Sequence, residues 1–155
     1  MIHRDIKPGN ILFGRGNIAK LSDFGLAAGA HSALGHQDEI WGTPYYVSPE
    51  RLNREEEDAR SDIYSLGATL YHAMAGRAPF EADSAEEVAR RHLSDRPVPL
   101  RSLCPSAQEQ TVFTLDRCLS KSKEHRWQSF TDLQNYLEDS LRRLPGKDGT
   151  SHNQG

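Results

Sequence analysis

Between Ser61 and Ala75 the sequence commits to a buried helix, and this limits what the rest of the chain can do. Ile63, Leu66, Gly67, Leu70, Tyr71 and Met74 recur at the i, i+3, i+4, i+7, i+8, i+11 spacing of one helical face. Tyr64, Ala68, Ala73 and Ala75 make the remaining faces largely apolar too, so burial nearly all round is expected. At 1.5 Å per residue the helix is about 22 Å long. Gly76 ends it, and Pro79 blocks any continuation. A helix buried on every side needs a domain around it, and 155 residues suffice for one domain with a sizeable core.

Further helices follow. Ser84-Ala85-Glu86-Glu87 reads as a capping box ahead of a helix to about Ser94, with Ala85, Val88, Ala89 and Leu93 inward. Pro97 and Pro99 break the chain, and Ser106 with Glu109 forms a second capping box. The helix it starts carries Val112, Leu115 and Leu119 on one face. A last helix runs from about Phe130 to Leu144, with Phe130, Leu133, Leu137, Leu141 and Leu144 at helical spacing. Ser48-Pro49-Glu50-Arg51-Leu52 is a further helix start, capped by Ser48 with Pro49 in the first turn.

The N-terminal part differs. Ile11-Leu12-Phe13 and Ile18-Ala19-Lys20-Leu21 are short apolar or alternating runs joined by the turn residues Gly14-Arg15-Gly16-Asn17, which predicts a small β-hairpin. Residues 26–47 show no period and read as a loop too long to be idle, hence regulatory or binding. Residues 53–60 form a charged run expected to be a solvated surface loop. Residues 145–155 hold almost nothing apolar and are expected to be a disordered tail. The fold class is therefore mainly α within the α+β family, with one hairpin and about five helices.

Composition excludes several function classes. A net charge of −3 with mixed signs leaves no electrostatic footprint for nucleic acid. No apolar run reaches the ~18 residues of a membrane span, and Met1-Ile2 leads straight into charged residues rather than a signal peptide. Cys104 and Cys118 lack metal-ligand spacing; idle thiols are favoured over a disulfide. A soluble, cytoplasmic polypeptide is expected. His31 and His36 are read as solvated loop histidines rather than metal ligands.

The chemistry lies on the loops flanking the hairpin, His3-Arg4-Asp5-Ile6-Lys7-Pro8-Gly9-Asn10 and Asp23-Phe24-Gly25. Asn10 and Asp23 are oxygen ligands suited to a hard cation, Asp5 is an acid placed as a base, and Lys7 is a nearby point charge. Taken singly, D-F-G is a turn and H-R-D a surface ion pair. In order, with a hairpin-sized gap, they resemble the catalytic and metal-binding loops of protein kinases. Trp41-Gly42-Thr43-Pro44-Tyr45-Tyr46-Val47-Ser48-Pro49-Glu50 is similar to the family's substrate-docking segment, with Ser48 where alanine is usual. Ile6-Lys7-Pro8-Gly9-Asn10 looks like the serine/threonine branch, and Gly76-Arg77-Ala78-Pro79-Phe80 like its bacterial members.

The resemblance implies roles. Asp5 orients the substrate hydroxyl, Lys7 reaches the transferring phosphate, and Thr43 hydrogen-bonds both. Asn10 and Asp23 hold Mg2+ for ATP, and Leu12 packs beneath the adenine. Glu50 forms a buried ion pair with Arg126. Asp62, which as a bare residue reads as a helix cap, accepts hydrogen bonds from the catalytic-loop backbone in the family. Arg4 beside Asp5 implies switching by activation-segment phosphorylation, with Ser32 and Thr43 as candidate acceptors ahead of Tyr45 and Tyr46.

The likeness spans residues 1–144 and covers the later part of a kinase domain. No G-x-G-x-x-G and no V-A-I-K-like strand occur in the sequence. The expectation is a fragment of an ATP-dependent serine/threonine kinase, acting on protein substrates and inactive without a small lobe. The alternatives are a non-catalytic binding or scaffolding module and a decayed gene product.

Overall fold

The computed structural model describes residues 1–23 and 43–143. Its central helix, α2, spans Ala59–Ala75. It begins two residues before Ser61 because Asp58, in extended conformation, accepts the Arg60 N–H at 2.8 Å. Asp62 therefore lies inside the first turn and is not the cap. Gly76 ends α2 at φ +75°, a left-handed conformation open to glycine, and donates its N–H to the His72 carbonyl.

Five other helices are present among the described residues. α1 is Pro49–Leu52, α3 Ala85–Ser94, α4 Leu100–Leu103 and α5 Glu109–Cys118, and α6 is Phe130–Arg142. α4 and α5 pack directly against α2. Tyr64, Ala68 and Tyr71 of α2 pack with Leu100, Leu115 and Leu119. Ile63 packs with Cys118, Trp127 and Leu133 in a second cluster, which ties α6 to the same helix. α5 approaches α2 so closely that a Cβ added at Gly67 would overlap the Cβ of Cys118. Glycine there is a packing requirement.

The expected all-round burial of α2 does not hold. Leu70 is 38% exposed and Met74 36%, with Ala73 beside them. Helices α4 and α5 cover the opposite face, and none of the described residues closes over this stripe.

Smaller departures have local causes. Ser48 precedes α1 but makes no capping bond; its Oγ is buried without a partner. Ser84 does cap α3, accepting the Glu87 N–H at 3.1 Å, while the Glu87 carboxylate turns to Arg90 and Arg91 instead of closing the box. On α3 it is His92, not Leu93, that points inward, where its ring nitrogen shares a hydrogen bond with the Tyr64 hydroxyl at 2.7 Å. Ser106 does not cap α5, whose N-cap is Gln108. The single turn α4 follows the Pro97–Pro99 break directly and carries no helical period long enough to read; Leu100 anchors it at 1% exposure. α6 docks through Leu133 and half-buried Tyr136, leaving Phe130, Leu137 and Leu141 exposed. Leu144 and the expected tail lie outside the described residues.

Strands β1 (Ile11–Phe13) and β2 (Ala19–Leu21) form the expected antiparallel hairpin, with Ile11 opposite Leu21. Gly16 at φ +73° and Asn17 at φ +57° make its left-handed turn. Cys104 and Cys118 are both free, and burial pushes the Cys118 thiol up to about 12. No helix among the described residues is long and apolar enough to cross a membrane.

Candidate active site

The hairpin register places the site. Because Ile11 pairs with Leu21, the next residues outward, Asn10 and Ser22, also meet: the Ser22 N–H and Oγ both donate to the Asn10 carbonyl, at 2.8 and 3.2 Å. Asp23 follows directly, exposed and at φ +60°. The two candidate ligands thus stand at one end of one ladder.

Asn10 is buried, and its amide nitrogen donates to the Asp5 carbonyl at 2.8 Å and to Asp5 Oδ2 at 2.9 Å. Lys7 Nζ lies 3.3 Å from the same Oδ2. Asp5 is therefore oriented by an amide and an ammonium, with its carboxylate still partly exposed. Asn10 spends its nitrogen on Asp5, which leaves its side-chain oxygen as the group suited to a cation.

The buried His3 ring ties the loop together. Its Nδ1 accepts the Asp5 N–H at 3.2 Å, which assigns the proton to Nε2, 3.1 Å from the Ser22 carbonyl that accepts it. The backbone of this loop is anchored on α2. Asp62 Oδ2 accepts the His3 N–H at 2.7 Å, and Oδ1 accepts the Arg4 N–H at 2.9 Å. Arg4 sits at φ +68°, a conformation that typically costs a non-glycine residue about 1–3 kcal/mol, so such anchors are needed to hold it.

A second anchor joins α1 to α2. Arg126 forms a two-pronged pair with Glu50, at 2.7 and 2.8 Å, and Ser61 Oγ donates to Glu50 at 2.6 Å. Burial works against the Glu50 carboxylate, but these hydrogen bonds outweigh it and its pKa is lowered. Arg126 is fully buried and lies 4.8 Å over the Tyr64 ring.

A family model for the protein kinase domain matches residues 1–138. The chain belongs to that family. Among curated members, it is 37% identical over 141 residues to the serine/threonine-protein kinase PknB of Mycobacterium tuberculosis, covering 86% of this chain. It is 35% identical over 136 residues to PknB of Mycolicibacterium smegmatis. It is 34% identical over 143 residues to a probable serine/threonine-protein kinase of Clostridium acetobutylicum, covering 90% of this chain. The chain spans about a fifth of these relatives' length (22%, 22% and 21%).

Within this kinase-family chain, Asp5, Lys7 and Asn10 come together directly, and the hairpin brings Asp23 beside Asn10. Leu12 lies on β1 with 56% exposure. Thr43 is exposed and makes no hydrogen bond to Asp5 or Lys7 among the described residues; its carbonyl accepts the Tyr45 N–H. Phe24, Ser32, His31 and His36 lie outside the described residues. The nearest described anion to the Arg4 guanidinium is Glu57, at 3.5 Å. Sequence reasoning overlooked Glu57 and Arg51: Glu57 closes a run of three glutamates read as solvated, and Arg51 had no motif to mark it.

Proposed function

We propose that this chain is the catalytic-loop half of a serine/threonine protein kinase, transferring the terminal phosphoryl group of ATP to hydroxyls of protein substrates. The observation that carries the reading is the convergence of Asp5, Lys7 and Asn10 at 2.9–3.3 Å, with Asp23 one residue beyond the Asn10–Ser22 pairing. In that reading Asp5 orients the attacking hydroxyl and takes its proton. Lys7, already against Asp5, has a side chain long and exposed enough to reach a phosphoryl oxygen. Leu12 offers an exposed apolar surface for the adenine.

The donor chemistry fits Mg2+. Asn10 and Asp23 provide hard oxygens, and no cluster of three or more His, Cys, Asp or Glu side chains among the described residues forms a self-sufficient cage. Magnesium suits such a sparse set, since it commonly keeps waters and completes its shell with phosphate oxygens. When bound it neutralises charge on the phosphates; the chain's own residues hold it and align the acceptor.

Transfer also needs a glycine-rich loop over the phosphates and a lysine that pairs with them, neither of which this sequence contains. Activity therefore depends on a small lobe beyond residues 1–144. A cytoplasmic setting agrees with the free thiols of Cys104 and Cys118. The test is to fuse the chain behind the small lobe of the Mycobacterium tuberculosis relative and incubate it with Mg-ATP and a generic protein. Phosphate on serine and threonine is expected from the fusion and none from the chain alone. Phosphate on tyrosine only, or full transfer by the chain alone, contradicts the reading.

A further inference from the structure

We propose that Arg51 and Glu57 are positioning residues for Asp5, acting through the peptide that joins Arg4 to Asp5. That peptide is gripped at both ends. Its N–H donates to His3 Nδ1 at 3.2 Å, and its carbonyl accepts Arg51 Nη1 at 2.6 Å. A peptide fixed at both polar atoms cannot rotate, so the direction in which Asp5 leaves the backbone is set. Arg4 needs this restraint because it sits at φ +68°.

Glu57 makes the grip possible. Its side chain is 10% exposed and lies 3.5 Å from Arg4 Nε and 4.0 Å from Arg51 Nη1. The Arg51 side chain is only 14% exposed. A guanidinium this far from water stays only where an anion balances it; otherwise it swings out to solvent and abandons the Arg4 carbonyl. Glu57 thus supplies from within the chain a negative charge that sits against the arginine preceding Asp5. This contact needs no modification of the activation segment. It is separate from the Asp62 anchor, which holds the N–H groups of His3 and Arg4 but does not touch the Asp5 peptide's carbonyl.

The inference rests on reading Asp5 as the reacting carboxylate, but its test does not. Backbone hydrogen exchange, followed by NMR on this chain, reads the Asp5 amide of this peptide directly. Glu57→Gln and Arg51→Lys should each accelerate exchange at the Asp5 amide by roughly tenfold, while the Arg4 amide, held by Asp62, and the amides of Tyr64 to Ala68 in α2 keep their rates. Glu57→Asp, which retains the charge, should restore much of the protection. Unchanged exchange at Asp5, or acceleration only in proportion to α2, overturns the proposal. So does loss of the folded state in both Glu57→Gln and Arg51→Lys, since the role would then belong to the fold alone.

Discussion

Arg126 reaches across 76 positions of sequence to grip Glu50 with two nitrogens on two oxygens, at 2.7 and 2.8 Å, with both side chains buried. The pair fixes α1 against the first turn of α2, because Ser61 and the Arg60 carbonyl join the same cluster. Burying two charges adds little net stability, but stranding one is expensive. Arg126→Met should therefore cost about 3–5 kcal/mol, read as a lowered urea midpoint. Replacing both partners with apolar residues should cost clearly less than the sum of the single changes.

Asp62 holds the His3–Arg4 loop on the core helix. Asp62→Ala leaves the His3 and Arg4 N–H groups without their acceptor, at about 1–3 kcal/mol for each. Asp62→Asn, which keeps one acceptor oxygen, should fall between wild type and alanine in the same denaturation series.

His92 makes stability depend on pH. Burial, and next the charge of Lys121, lower its pKa from 6.5 to about 3; a contact with the Tyr45 backbone works the other way without offsetting them. The unfolded chain takes up a proton near pH 6.5 that the folded chain refuses until about pH 3, so the folded state loses stability as pH falls between those values. The slope from this one group approaches about 1.4 kcal/mol per pH unit. Thermal melts from pH 7 to 4 should show it, and His92→Gln should flatten the curve in that window.

Gly67 sets the distance between α2 and α5. Gly67→Ala drives a methyl group into Cys118, and a core overpacked in this way typically loses about 1–3 kcal/mol. Alanine's better helix propensity, about 1 kcal/mol, would prevail only if α5 could move away. A lower melting temperature is expected.

Much of this architecture is legible in the sequence because its signals are local. The period of α2, the turn residues of the hairpin, the Ser84 cap and the Gly76 stop each act within one or two turns of chain, and they fold as read. What could not be read depends on partners far along the chain. Nothing local says that His92 displaces Leu93 from the core, where its ring meets Tyr64 28 positions away; the Asp58 start of α2, by contrast, is a local signal hidden in the charged run, since its bond reaches only to Arg60. The exposure of Leu70 and Met74 follows from which neighbours arrive, not from their spacing. In the site, the motif residues were found through their order, while Arg51 and Glu57 matter through a contact with Arg4, about fifty positions away.

Under the proposed function, Asp5 orients the hydroxyl in phosphoryl transfer. The most direct test of that role is incorporation of radiolabelled phosphate from Mg-ATP into a generic protein by the small-lobe fusion, compared with the same fusion carrying Asp5→Asn. Asparagine keeps the size and the contact to Asn10 but cannot take the proton, so the rate should fall by about 10²–10⁴-fold with ATP binding unchanged. A fusion that binds Mg-ATP and transfers phosphate equally well with Asp5→Asn would rule that role out for Asp5.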